Sequence, residues 1–207
     1  MQTPERKLPP IESLAELEGI LAFHGINFLA WSEGRKDTTH LFTELTDGET
    51  ELAADEEYQI VRQTRVLNVA VHYIAADDSE FQLYEDRQEW HGKNDESGNP
   101  RVDRRGHKWL SEKIKNTEVR ADGSIIDAAL VRALQEELNG VDEFESAEFL
   151  GCTAEVKESG SYPGLYTKYL IYTYKVYLPP EQYRSEYAEV GKEKTTYFHW
   201  RQMGSEL

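Results

Sequence analysis

Two adjacent carboxylates and one guanidinium in the middle of the chain have residue types and a spacing that could bind a cation. Glu136 and Glu137 lie near the end of the segment 118–141, and Arg132 precedes Glu136 by four residues. On a helix this spacing lets Arg132 pair with Glu136, whereas Glu137 has no such helical partner. Carboxylate oxygens are the ligands that hard divalent cations prefer, so the pair is a candidate cation site.

The element that must position these side chains is an amphipathic helix over 126–138. Its apolar residues recur at helical spacing and define one buried face. They are Ile126, Ala129, Leu130, Ala133, Leu134 and Leu138. Glu137 projects near Leu130, inside the apolar stripe, where a carboxylate is costly unless it is paired or bound to a cation. A solvated glutamate at the helix end and a glutamate paired across the fold are the alternatives.

The ends of this helix have their own signals. Ser124 is a good N-cap, and Asp127 three residues on completes something close to a capping box. Gly140 is well placed to end the helix.

The segment RALQEE, from Arg132 to Glu137, resembles the core of a Nudix box, a loop–helix–loop motif. Gly123-Ser124 is similar to the Gly-Glu that opens the helix in that family, and the separation of Ser124 from Arg132 is the family's. The resemblance implies a Nudix-like fold, with Mg²⁺ or Mn²⁺ bound through Glu136 and Glu137. The implied reaction is hydrolysis of a diphosphate bond in a nucleoside diphosphate derivative, with Arg132 orienting Glu136. Such cations neutralise phosphates and activate water.

The segment departs from the box at several positions. The first Gly is Glu118, the first Glu is Ser124, the Glu after the Arg is Ala133, and the closing Gly is Asn139. The loss of two of four box glutamates favours an alternative, a catalytically weakened module that binds a nucleotide of the ADP-ribose type, or a scaffold module.

Replacements for the missing carboxylates are available in two regions. Trp109-Leu110 is similar to a Trp-containing element that precedes the box in many Nudix proteins, and Glu112 follows it as a candidate replacement metal ligand. The resemblance also implies a further glutamate from the acidic connection 181–193. The sequence does not choose among the four there, which are Glu181, Glu186, Glu189 and Glu193.

Arginines outside the helix are candidate substrate-binding residues. Arg87 lies in a polar patch at the end of the segment 81–90, and Arg104 and Arg105 lie in 91–106, which we interpret as a polar, mobile loop. Guanidinium groups bind phosphate or carboxylate through two parallel hydrogen bonds. The alternatives are a charged strand edge and a solvated loop.

Composition excludes several classes of protein. The 207 residues carry a formal charge of −16, which argues against DNA or an anionic membrane as the main partner. The single cysteine, Cys152, excludes an internal disulfide framework, and we interpret it as a small core residue in a reducing compartment. No apolar run approaches the length of a membrane span, so we expect a cytoplasmic protein.

The order of predicted elements indicates a mixed α and β fold. Short helices are predicted over 11–25 and 36–48, and strands over 65–75, 81–90, 148–156, 166–178 and 194–201. We therefore predict an N-terminal helical extension over 1–60, which packs on the core or forms a homodimer contact, and a Nudix-like domain over 61–207. The resemblance specifies the latter as an α/β/α sandwich with a mixed sheet.

Overall fold

The chain folds into three helices and ten strands in the part that the structure describes. This computed structural model describes residues 6–32, 36–54, 59–120 and 122–204. The helices are α1 (Leu14–Phe23), α2 (Thr38–Thr46) and α3 (Asp127–Leu138). The strands are β1 (Arg6–Lys7), β2 (Thr50–Ala54), β3 (Ile60–Ile74), β4 (Glu80–Asn94), β5 (Pro100–His107), β6 (Leu110–Ile114), β7 (Ser146–Glu158), β8 (Tyr166–Tyr177), β9 (Glu186–Val190) and β10 (Lys194–Gln202).

Strand pairing is mostly antiparallel. Antiparallel pairs join β1 to β2, β2 to β3, β3 to β4, β4 to both β5 and β10, and β10 to β9. In addition, β8 pairs with β3 and β7, and β6 pairs with β3. The mixed α and β class predicted from the sequence is confirmed.

Residue contacts divide the chain into two compact units. The first comprises Met1–Val66, Lys113–Ser124 and Cys152–Ile171, and the second comprises Leu67–Glu112, Ile125–Gly151 and Tyr172–Leu207. Each unit is assembled from segments far apart in sequence. The predicted boundary at residue 60 stays a prediction.

The first unit has an apolar core built around α1 and α2. Leu17, Leu21 and Leu41 are fully buried in it, as is Trp31. The indole N–H of Trp31 donates to the carbonyl of Pro163 at 2.8 Å, and its ring lies 5.0 Å from that of Tyr162. Residues of the predicted extension therefore pack on the segment that precedes β8.

The second unit buries one face of α3 and one face of the end of β8. The apolar stripe of α3 predicted from periodicity is buried at Ala129, Leu130, Ala133, Leu134 and Leu138. On β8 the alternating residues Tyr172, Tyr174 and Val176 are buried. None of the helices in the described ranges is long and apolar enough to cross a membrane.

The region 91–106 is not a loop. The long strand β4 runs to Asn94, and β5 returns from Pro100, so the predicted mobile loop is a hairpin. The Asp95 carboxylate accepts the N–H groups of Ser97 and Asn99 at 2.9 Å, and Gly98 takes a positive φ of 83°. The prediction was wrong because this hairpin is exposed on both faces and shows no apolar alternation.

One further expectation was wrong. Cys152 is exposed rather than in the core, because nearly all of β7 is exposed. The acidic connection 181–193 contains β9.

Candidate active site

Helix α3 begins and ends slightly differently from the prediction. Its N-cap is Ile126, which forms no side-chain cap bond. The predicted cap, Ser124, instead donates its hydroxyl to Asp122 Oδ1 at 2.7 Å. At the other end the chain turns at Asn139, one residue before the predicted Gly140, with a left-handed φ of 42°. Asparagine tolerates this conformation better than other residues with a Cβ.

The side chain of Glu137, in the last turn of α3, lines a cleft of about 260 Å³. Two other carboxylates line the same cleft, Glu85 from β4 and Glu189 from β9. The other lining residues are Gln88, His107, Trp109, Leu110, Ser111, Lys194, Thr196 and Phe198. One helix and two strands therefore bring three carboxylates to one cavity.

Strand register explains why Glu189 faces this cleft. Thr196 of β10 lies opposite Glu189 on one side and opposite Gln88 of β4 on the other. Residues directly opposite each other project from the same face of a sheet. Glu189, Thr196 and Gln88 therefore form a row across three strands, and all three line the cavity.

A bulge in β4 brings in Glu85. The register of β4 with β10 shifts between Glu85 and Arg87, so Asp86 is the extra residue against that strand. The amide of Gln88 donates to Glu85 Oε1 at 2.7 Å, which holds the carboxylate on the cleft side.

The carboxylates around Glu137 perturb its ionisation. Burial, followed by the negative charges of Glu189, Glu112 and Glu85, raises the pKa of Glu137 from 4.5 to about 8. Lys194 opposes this shift. Near neutral pH Glu137 is therefore held as the acid unless positive charge enters the cleft.

Glu136, next to Glu137, has a different environment. Arg132 donates to Glu136 Oε2 at 3.0 Å, which confirms the pairing predicted from the i, i+4 spacing. Arg132 also lies 4.0 Å from Glu112 Oε1. Glu136 is exposed and is not among the residues that line the cleft. The structure thus brings Glu112, Arg132 and Glu136 into one ion-pair group, beside a cleft that contains Glu137.

The three candidate arginines lie in two places. Arg105 donates to Gln88 Oε1 at 3.0 Å and lies 3.9 Å from Glu85 Oε1, so it reaches two cleft residues. Arg87 lies next to Gln88 in β4 and projects to the opposite face, where it covers the ring of Tyr197 at 3.9 Å. Arg104 is exposed and lies opposite Arg87 in the β4–β5 register.

Among the four candidate glutamates of the acidic connection, the structure brings Glu189 to the cleft. Glu186 instead lies 3.0 Å from His199 Nε2, and Glu193 lies 3.7 Å from Lys93. Glu181 is exposed in the short turn before β9. Glu85 could not be recognised as a site residue from the sequence, because regular alternation would place it on the face of Arg87.

The donor groups of the cleft suit a hard divalent cation, which prefers carboxylate oxygens as ligands. Other carboxylates surround Glu137, and burial and their negative charges keep its carboxyl protonated. In the described ranges, however, no three His, Cys, Asp or Glu side chains form a preassembled metal-binding group. Binding would require the carboxylates to draw together, which the entry of a cation favours.

Comparison with known proteins does not identify this site. No family model matches the chain, and no protein of curated function is similar to it.

Proposed function

We propose that this chain is a Nudix-type hydrolase with a Nudix-like α/β/α sandwich. Its reaction is the cleavage of a diphosphate bond in a nucleoside diphosphate derivative, and it depends on Mg²⁺ or Mn²⁺. The observation that carries the proposal is Glu137, a carboxyl on the helix that resembles the Nudix box, which faces a cleft with the carboxylates of Glu85 and Glu189. Perturbed carboxyls in a cleft are typical of functional sites.

The residues have separate roles in this proposal. Glu137 and Glu189 hold the cation, and Glu85 adds negative charge beside them. Arg132 positions Glu136 and Glu112, which are the outer carboxylates of the site. When bound, the cation neutralises phosphate oxygens and lowers the pKa of a bound water. Arg105, at the rim of the cleft, is the proposed substrate-binding cation. Arg87 projects from the other face of the sheet, where Arg104 lies opposite it, so these two predicted substrate-binding arginines have no role at the cleft.

The test is titration of Mg²⁺ and Mn²⁺ into the full chain by calorimetry, beside an assay that follows release of the nucleoside monophosphate from a panel of nucleoside diphosphate derivatives. We expect Glu137→Gln and Glu189→Gln each to weaken cation binding at least tenfold and to abolish product release. Glu181→Gln is the matched control, because Glu181 belongs to the same acidic connection but is exposed. Equal cation affinity in Glu137→Gln, Glu181→Gln and the parent chain would contradict the proposal.

A second candidate function is nucleotide binding without turnover, of the ADP-ribose type. Ala133 is fully buried and Ser124 is bonded to Asp122, so neither position supplies the carboxylate that the Nudix box has there. Binding of ADP-ribose without product release in the same experiment would favour this function. Binding of neither cation nor nucleotide would leave a scaffold role.

The cytoplasmic location, the absence of a DNA partner and a homodimer remain proposals of the same kind. The single cysteine supports the first of these and the charge of −16 supports the second. Sedimentation at several protein concentrations tests the homodimer.

A further inference from the structure

An indole ring surrounded by three cations lies beside the cleft. Trp90 is on β4, and Lys93 Nζ lies 4.4 Å from its ring centroid. Arg101 Cζ of β5 lies 5.0 Å from the ring, and Lys194 Nζ of β10 lies 5.8 Å from it. In a chain with a charge of −16, this local gathering of positive charge is unusual.

The ring and the cleft lie on one face of the sheet. Trp90 lies opposite Lys194 in the β4–β10 register, and the next pair on that face is Gln88 with Thr196. Lys194, Gln88 and Thr196 all line the cleft. Residues two apart along a strand are about 7 Å apart on the same face. Lys194 therefore connects the carboxylate cleft with the indole.

Hydrogen bonds to Asp103 hold Trp90 and Arg101 in place. The indole N–H of Trp90 donates to Asp103 Oδ2 at 2.8 Å, and Arg101 donates to both oxygens of Asp103, at 3.2 and 3.0 Å. These bonds fix the edge of the ring and the plane of the guanidinium.

Two of the cations are less constrained. Lys93 lies 3.7 Å from Glu193 in an exposed pair, so it can leave the ring at little cost. Within the described ranges the ammonium of Lys194 forms no ion pair. A ligand phosphate can therefore approach Lys194 without displacing a protein carboxylate.

We propose that Trp90, Arg101 and Lys194 form the subsite for the nucleoside of the substrate, with the nucleobase stacked on Trp90 and the adjoining phosphate on Lys194. This inference rests on the proposed function, because it takes the cleft as the site of the diphosphate. An aromatic ring beside basic side chains is the combination with which proteins bind single-stranded nucleotides. Lys194 lies between the cleft and the indole. The substrate therefore binds with its diphosphate at the carboxylates and its base farther along β4.

The experiment measures binding of ADP and of inorganic pyrophosphate to the full chain in Mg²⁺, by calorimetry. We expect the parent chain to bind ADP at least tenfold more tightly than pyrophosphate. Trp90→Ala should weaken ADP binding at least tenfold and leave pyrophosphate binding within about twofold. Trp90→Phe keeps a stacking ring and should lose less, which separates stacking from a folding defect.

Lys194→Gln should weaken the binding of ADP. Its matched control is Lys157→Gln, since Lys157 Nζ lies 5.0 Å from the ring of Tyr169 in the other unit. ADP affinity unchanged by Trp90→Ala, or equal affinities of the parent chain for ADP and pyrophosphate, would overturn the inference while leaving hydrolysis intact. ADP binding that needs Trp90 in a chain that releases no product would support the subsite and contradict the hydrolase. Binding of neither probe would overturn both.

Discussion

Glu189 on β9 and Glu137 on α3 line one cleft, and among the charged neighbours of Glu137 the carboxylate of Glu189 raises its pKa most. The two residues are 52 positions apart in the sequence. Their relationship is the basis of the first two predictions.

Replacing Glu137 should change stability in a pH-dependent way. The pKa of Glu137 is raised from 4.5 to about 8 in the folded chain, so below pH 4.5 the carboxyl is protonated in both states and carries no penalty. As the pH rises to 8, the unfolded chain releases this proton first, and the folded state loses stability. Glu137→Gln should therefore be more stable than the parent at pH 8 without divalent cations. At about 1.4 kcal/mol per pKa unit, the change from 4.5 to about 8 corresponds to at most about 5 kcal/mol, and solvent screening in the open cleft reduces the gain to on the order of 2 kcal/mol.

Urea unfolding at pH 4.5 and pH 8 measures this difference. We expect the gain to shrink toward zero at pH 4.5 and to be reduced at pH 8 by Mg²⁺, which binds the parent more tightly than the variant. Glu136→Gln is the control, because Glu136 is exposed, and it should show no such dependence. The same gain at both pH values would mean that Glu137 is not the titrating group.

Replacing Glu189 should lower the pKa of Glu137. Glu189→Gln removes a nearby negative charge, so the carboxylate form of Glu137 becomes easier to reach. The side-chain carboxyl signal of Glu137 in a carbon-13 NMR titration measures the change. Glu186→Gln is the comparison, since Glu186 is paired with His199 and is not a cleft residue. Equal shifts in the two variants would show that the cleft geometry is not as described.

The buried carboxylate Glu44 in the first unit should be important for folding. It lies 2.5 Å from Lys36 Nζ, 2.6 Å from an Arg62 nitrogen and 2.8 Å from Lys113 Nζ, and only 6% of its surface is exposed. Glu44→Gln leaves the buried Arg62 without its counter-charge. We expect a loss of about 3–5 kcal/mol in the free energy of unfolding at pH 7, measured in urea.

The pH dependence of Glu44 has the opposite sign to that of Glu137. Burial opposes ionisation of Glu44, but Lys113, Lys36 and Arg62 prevail and lower its pKa from 4.5 to about 2. Its stabilising effect is therefore complete above pH 4.5 and is lost as the pH falls toward 2. Lys7→Gln, which breaks the exposed pair with Glu51, should change stability by less than about 1 kcal/mol. An equally small effect of Glu44→Gln would contradict the buried network.

The end of α3 offers a backbone test. Asn139 has a φ of 42°, a region that most residues with a Cβ reach at a cost of about 1–2 kcal/mol. Asn139→Ala should lower the melting temperature, whereas Asn139→Gly should leave it unchanged or raise it. A lower melting temperature for Asn139→Gly than for Asn139→Ala would show that the side chain matters more than the backbone.

Local patterns in the sequence correctly predicted the local structure. The apolar spacing of α3 and the Arg132–Glu136 pair both depend on residues a few positions apart. Helix and strand geometry relates such neighbours directly. The sequence could not predict the hairpin around Asp95, because its exposed strands carry no apolar pattern.

The sequence by itself determined the amphipathic helix, and with it that Glu137 lies beside an apolar face. Only the tertiary structure decided which carboxylates face Glu137. It placed Glu189 there, among four equivalent glutamates, through the register of β9 on β10, and it placed Glu85 there through a bulge in β4. The physical reason is that register and bulges depend on the pairing of strands distant in sequence, and a shift of one residue moves a side chain to the other face of the sheet.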